Sequence, residues 1–201
     1  MKKILVLYPK LFKCYQKFHR KVEKILSASD AVELIYPSDE NDFIQRISDE
    51  SQKVGSTLQS ENWSVSDITH AIVFDDGEEF PKEVKLLIEN SVPLRFINIA
   101  ITRVINIKRE PEYKGLKSTP EYEYIGRGSY WGNPYSMYED GEDREEVIRK
   151  YKYDFVFEKF PNKDKNEVYK LAGKRLGCFC KPESCHGDVL ADFLNSWDDG
   201  K

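Results

Sequence analysis

Two runs in the second half of the chain combine residue types that suit chemistry better than packing. The first is Gly126-Arg127-Gly128-Ser129, followed closely by Trp131 and Asn133. Glycines on both sides of an arginine let successive backbone N–H groups point one way while the guanidinium offers a planar fork, a combination that holds phosphate or carboxylate. Gly126, Arg127, Gly128 and Ser129 are therefore candidate anion ligands. Trp131 offers a flat face for a base or sugar, and Asn133 a paired donor and acceptor for a ring edge. A tight turn whose arginine meets a carboxylate, with the indole in the core, is the competing reading of the same residues.

The second run, Cys178-Phe179-Cys180 through Cys185-His186-Gly187-Asp188, admits three readings. If Pro182 to Ser184 turns the chain into a final helix, then Cys185, His186 and Asp188 occupy its first turn, where the helix dipole favours a thiolate or a bound anion. His186 and Asp188 then form a candidate catalytic pair, as general acid/base and orienting carboxylate, or Asp188 acts on its own as base or nucleophile, and Cys185 joins the ligand contacts. In a second reading Cys178, Cys180, Cys185 and His186 are the ligands of a structural zinc; the adjacency of Cys185 and His186 and the C-x-C spacing on a strand speak against it. In the third, Cys178 and Cys180 pack as small apolar residues, Ser184 caps the helix, Gly187 permits close approach to a sheet and Asp188 bonds free N–H groups. The preferred assignment leaves Cys178 and Cys180 in the core, with no metal ligand and no cofactor.

Stepping outward to the elements that must hold these runs, residues 1–100 alternate between short apolar strands and amphipathic helices. Strands are expected at Lys2–Pro9, Val32–Tyr36, Ile68–Phe74 and Val92–Ile99. Helices are expected around Phe18, Val22, Ile25 and Leu26, from Phe43 toward Leu58, and after Pro81 in a first helical turn. This alternation predicts a parallel, Rossmann-like sheet, with ligands beyond the carboxyl ends of its strands. Residues 101–201 predict a smaller α/β domain. Strands are expected at Thr102–Lys108, at Tyr122–Ile125 and at Arg175–Cys180. Helices are expected from Arg144 with Asp143 as cap, through Val168 and Leu171 to Gly173, and along Val189, Leu190, Phe193, Leu194 and Trp197. The whole is an α/β chain in two parts.

The net charge of -4 comes from interspersed acids and bases, so nucleic acid is a possible partner without electrostatic support. No apolar run is long enough to span a bilayer and the short ILVLYP run is no signal peptide, which points away from membranes and toward the cytoplasm. Three of the four cysteines lie between Cys178 and Cys185, which argues for thiol or metal chemistry in a reducing compartment over a disulfide framework. Oligomeric state is not legible.

Two resemblances add to this reading. The run DITHAIVFDDGEEFPKEVKLLIENSVPLRFI is similar to the last strand-helix-strand of the LOG/DprA-like (SLOG) Rossmannoid superfamily, which implies a nucleotide-type fold. The glycine-rich phosphate loops of that superfamily are missing at the Tyr8 and Pro37 turns. From Ile101 to about Trp197, VINIK, YIGRGSYWGNPY, DREEVIRKY and CFCKPESCHGDVL closely resemble an uncharacterised family of short bacterial and phage proteins. That resemblance implies a shared fold and site and brings no assigned activity. The combined expectation is a protein acting on a nucleotide, nucleoside or related phosphosugar, by cleavage or transfer at an N-glycosidic bond. A non-catalytic nucleotide- or protein-binding module in phage-host conflict is one alternative, and a small structural-zinc protein another.

Overall fold

The computed structural model describes residues 1–137 and 143–200. Its contacts divide the chain into two units, Met1–Ile99 and Ala100–Asn195. The chain end from Ser196, placed with the second unit in the sequence reading, groups with the first.

The first unit runs β1 (Lys2–Leu7), α1 (Tyr15–Leu26), β2 (Val32–Tyr36), α2 (Phe43–Glu50), β3 (Val54–Gln59), β4 (His70–Asp75), α3 (Pro81–Glu89) and β5 (Leu94–Asn98). Its strands form one sheet in the order β3-β2-β1-β4-β5, every pair parallel. Ile4 to Leu7 of the central β1 are buried without alternation, as expected of a strand covered on both faces. Phe18, Val22 and Leu26 are fully buried along one stripe of α1.

The helix expected to continue toward Leu58 stops at Glu50, and Val54–Gln59 is a fifth strand. Val54, Gly55, Ser56 and Thr57 are weak helix formers, and as an edge strand β3 shows little of the alternation that announces a strand. The tail is fixed to α1 by charge: Arg20 grips Asp198 at 2.7 and 2.9 Å, and the buried Lys17 reaches Asp199 at 2.9 Å.

The second unit has a three-stranded parallel sheet, β6 (Arg103–Asn106), β8 (Arg175–Cys178) and β7 (Tyr122–Tyr124), in that spatial order. Two helices, α4 (Arg144–Val156) and α5 (His186–Asn195), pack with it. Asp143 caps α4, accepting the Glu146 N–H at 2.8 Å. The segment through Val168 and Leu171 is a 3-10 helix, Lys165–Leu171, and Trp197 lies past the end of α5.

The core gathers Ile125, Trp131, Tyr151, Phe155, Leu176, Leu190 and Leu194. Gly187 makes this packing possible, since a Cβ there would strike the Ile125 side chain and press on Val104 at 3.1 Å. At the far end of α5, Asn195 clamps the start of the sheet. Its Oδ1 accepts the Thr102 N–H at 2.8 Å and its Nδ2 donates to the Thr102 carbonyl at 3.0 Å, all of it buried. No helix among the described residues is long and apolar enough to cross a membrane.

Candidate functional site

The two motifs meet within the second unit. After β7 the chain enters a tight double turn: Ser129 N–H donates to the Gly126 carbonyl, and Gly132 N–H to the Ser129 carbonyl, each at 3.1 Å. Gly128 takes a left-handed φ of 84°. A Cβ on Gly132 would sit 2.6 Å from the Gly126 carbonyl oxygen, so glycine is required for the turn to double back.

The start of α5 reaches this turn through His186, whose Nε2 lies 2.9 Å from the Ile125 carbonyl oxygen. A carbonyl only accepts, so Nε2 carries the hydrogen and Nδ1 is the bare acceptor of a neutral ring. Burial, the larger effect, pushes the imidazole below its usual range, and Tyr151 packs edge-on at 4.9 Å.

Between the motifs lies a cavity of about 390 Å³, within the size range of small-molecule sites. Gly126, Arg127 and Asn133 line it from the turn, Cys185 and His186 from the helix start, and Cys178 and Cys180 from the end of β8 and the residues after it. Arg144, Tyr135 and Phe179 complete its polar and aromatic lining. Arg127 is exposed and donates a long 3.4 Å bond to the Tyr135 carbonyl, whereas Arg144 donates to the Ser184 carbonyl at 3.2 Å. Neither has a carboxylate partner among the described residues, and no described lining residue is acidic.

Several expected roles are corrected. Trp131 is 4 % exposed, set in the core against Phe155 and absent from the cavity, so it offers no face to a ligand there. Asn133 does line the cavity, but its amide is committed as a bracket. Nδ2 donates to the Val147 carbonyl at 3.2 Å and Oδ1 accepts the Tyr135 N–H at 3.0 Å.

Gly128 and Ser129 shape the turn without lining the cavity; Ser129 Oγ is buried with no hydrogen-bond partner among the described residues. Asp188 is also outside the lining. It accepts the Cys185 N–H at 2.9 Å, as an N3 carboxylate does at a helix start, and pairs with Lys181 at 2.6 Å. It therefore fixes the helix start, and its hydrogen-bond partners among the described residues do not include His186. Ser184, the expected cap, is exposed, and Cys185 takes that place.

Cys178 and Cys180, expected in the core, both line the cavity with Cys185. Cys178 Sγ and Cys180 Sγ are 3.5 Å apart, and all three Sγ atoms lie within 4.8 Å of one another. The signal was present, because residues i and i+2 of a strand share a face and C-x-C at a strand end puts two thiols side by side. Hydrogen bonds from Cys178 and Cys185, with the Arg144 guanidinium, hold Cys180 well below the usual thiol range. The same sharing pushes the Cys178 and Cys185 thiols up.

Over residues 1–105, the length of the five-stranded parallel unit and slightly beyond, the chain matches the family model of the minimal SLOG domain. The chain belongs to that family. A nucleotide-related role is the coarse functional class that goes with the SLOG assignment. Beyond the SLOG unit, residues 105–196 match a domain of unknown function (DUF4326), the region that contains both motifs and the cavity. A protein of Enterobacteria phage T4, the "Uncharacterized 12.4 kDa protein in nrdA-td intergenic region", is 42 % identical over 72 residues, which is 35 % of this chain and 65 % of the phage protein. The chain thus spans a little under two thirds of that relative's length. No solved structure matches.

Proposed function

We propose that the protein binds a nucleotide or nucleoside-like phosphate in the cavity of its second unit. The observation that carries this is the pair Arg127 and Arg144 on an otherwise largely apolar wall, with no described carboxylate there to neutralise them. Guanidinium groups without countercharge attract phosphate, and partial exclusion of water strengthens that attraction. Tyr135 and Phe179 supply ring faces in place of Trp131, and Met137, Val147 and Ile148 an apolar wall for a base or sugar. His186, neutral and buried on the same wall, is the group for proton handling.

Cleavage or transfer at an N-glycosidic bond calls for a carboxylate beside the sugar. Asp188, held by Lys181 and the Cys185 N–H, supplies none to the cavity. The geometry thus supports nucleotide binding with a proton donor or acceptor at hand more than it supports glycosidic chemistry.

The test is titration calorimetry with a panel of nucleoside mono- and triphosphates, followed by chromatography of each mixture. Arg127→Ala is expected to weaken binding by about 10- to 100-fold, the worth of a charge-assisted hydrogen bond, with unfolding temperature unchanged. Equal affinities in wild type, Arg127→Ala and Arg144→Ala, or no binding by any of the panel, would remove the cavity from consideration. Tight binding without turnover identifies a non-catalytic module.

A further inference from the structure

The cysteine cluster is not explained by phosphate binding. Cys178 ends β8, Cys180 follows two residues on with its sulfur on the same side, and the turn through Pro182 returns Cys185 to them. None of the three is in a disulfide, and the 3.5 Å between Cys178 Sγ and Cys180 Sγ is well beyond the ~2.05 Å of such a bond. Thiols placed only to fill apolar space have no reason to converge sulfur to sulfur at the wall of a cavity, since each would pack as well against carbon.

We infer that Cys178, Cys180 and Cys185 are the thiolate ligands of a single zinc ion whose fourth coordination position opens into the arginine-flanked cavity. Zinc–sulfur bonds of ~2.3 Å at tetrahedral angles place thiolates ~3.8 Å apart. The 3.5 Å between Cys178 and Cys180, and the 4.8 Å bound on all three pairs, bracket that value. Sulfur donors select zinc over magnesium or calcium, and thiolates this close converge on one ion instead of bonding separate irons of a cluster.

The surroundings also suit a metal. A ligand shell works when its neighbours are themselves held, and here the ring beside Cys185 is fixed by its bond to the Ile125 carbonyl. That bond leaves His186 Nδ1 as an acceptor 3.6 Å from Cys185 Sγ, able to take a hydrogen bond from a water or hydroxyl on the ion. Three protein ligands with one open position is the arrangement of catalytic zinc, where the ion polarises a phosphoryl or carbonyl oxygen or activates water. The inference rests on the nucleotide reading only for what occupies the fourth position.

The experiment starts with full-length protein purified without chelator, analysed for metals and titrated for thiols. Zinc near one per chain is expected, falling about tenfold or more in Cys180→Ser, a variant that preserves size at a half-exposed position, and unchanged in Cys14→Ser. Replacement by cobalt is expected to give a thiolate-to-metal absorption band. Its visible bands should shift on adding imidazole or inorganic phosphate, and both features should persist in His186→Asn.

A chain that holds three reactive thiols and takes up neither zinc nor cobalt overturns the inference. So does iron with labile sulfide, or a disulfide within the cluster. Cobalt bands that ignore added imidazole and phosphate and collapse in His186→Asn overturn the open position, making His186 the fourth ligand. The nucleotide reading fails separately, by equal affinities of wild type and Arg127→Ala in the chelated protein.

Discussion

The strand ends of the first unit and the cavity of the second are both places where an α/β protein can hold a ligand, and the chain treats them oppositely. In the first unit the N-terminus of α2, an obvious anion site, is filled from within. Asp39 accepts the N–H groups of Ile44 at 3.0 Å and Gln45 at 2.9 Å, and the Tyr8 hydroxyl at 2.5 Å. At the end of β4, Asp76 Oδ1 accepts the N–H groups of Glu78 and Glu79 within an acidic turn. Phe12, Phe18 and Phe74 stack close by. In the second unit the cavity wall presents two arginines, three thiols and an imidazole, with no carboxylate among the described lining residues. A Rossmann-like topology therefore locates a possible crevice, but the side chains decide whether it is vacant for a ligand or closed by the protein's own groups.

Substitutions that collapse one side of this contrast should be the most damaging. Gly187→Val forces a branched side chain into Ile125 and Val104, and a loss of about 3 kcal/mol or more is expected from overpacking at a helix-sheet contact. Chemical denaturation measures it, and an unchanged midpoint would show that α5 does not need that close approach.

Asp39→Ala should cost about 2 kcal/mol, because two helix N–H groups and the Tyr8 hydroxyl lose their acceptor. Nucleotide affinity should not change. A gain in phosphate binding by Asp39→Ala would sharpen the contrast further, by showing that the first unit is a plugged site.

Asp188→Ala should cost about 1 kcal/mol through the lost helix-start bond and leave ligand binding intact. Should turnover be found and then vanish in this variant with binding retained, the division between structural Asp188 and functional cavity would break.

The smallest effect concerns the tail. Arg20 holds Asp198 at about 2, below the ordinary carboxylate value, so this pair stabilises the fold above the unfolded pKa of about 3.9 and ceases to as pH falls toward about 2. The difference in unfolding temperature between wild type and Asp198→Asn should shrink across that interval.

Much of the architecture is written in local patterns. The buried run Ile4 to Leu7, the stripe Phe18-Val22-Leu26, Pro81 in a first turn and Asp143 before Arg144 each declare an element because the cause lies within one helical turn or strand. β3 escaped because its Gly-Ser-Thr sequence at a sheet edge has neither helical nor strand periodicity. Of the site, the meeting of the glycine turn with the α5 start was expected, and Arg127, Cys185 and His186 line its cavity. Trp131 sits in the core and Asn133, though it lines the cavity, has its amide bonded to Val147 and Tyr135; an indole or an amide has the same letter whatever it faces. Arg144, some seventeen residues past Arg127, had nothing in its neighbourhood to link it to the turn.

By itself the sequence determined the alternation of strands and helices, the two-part α/β organisation and the two motifs, since periodicity, turn residues and caps act over a few residues. Only the tertiary structure decided that Asp188 is tied to Lys181, that Trp131 is buried and that three sulfurs meet. Those outcomes depend on how the turn from β8 into α5 folds back on itself and on which side chains pack around Trp131, and residue spacing alone does not encode that geometry.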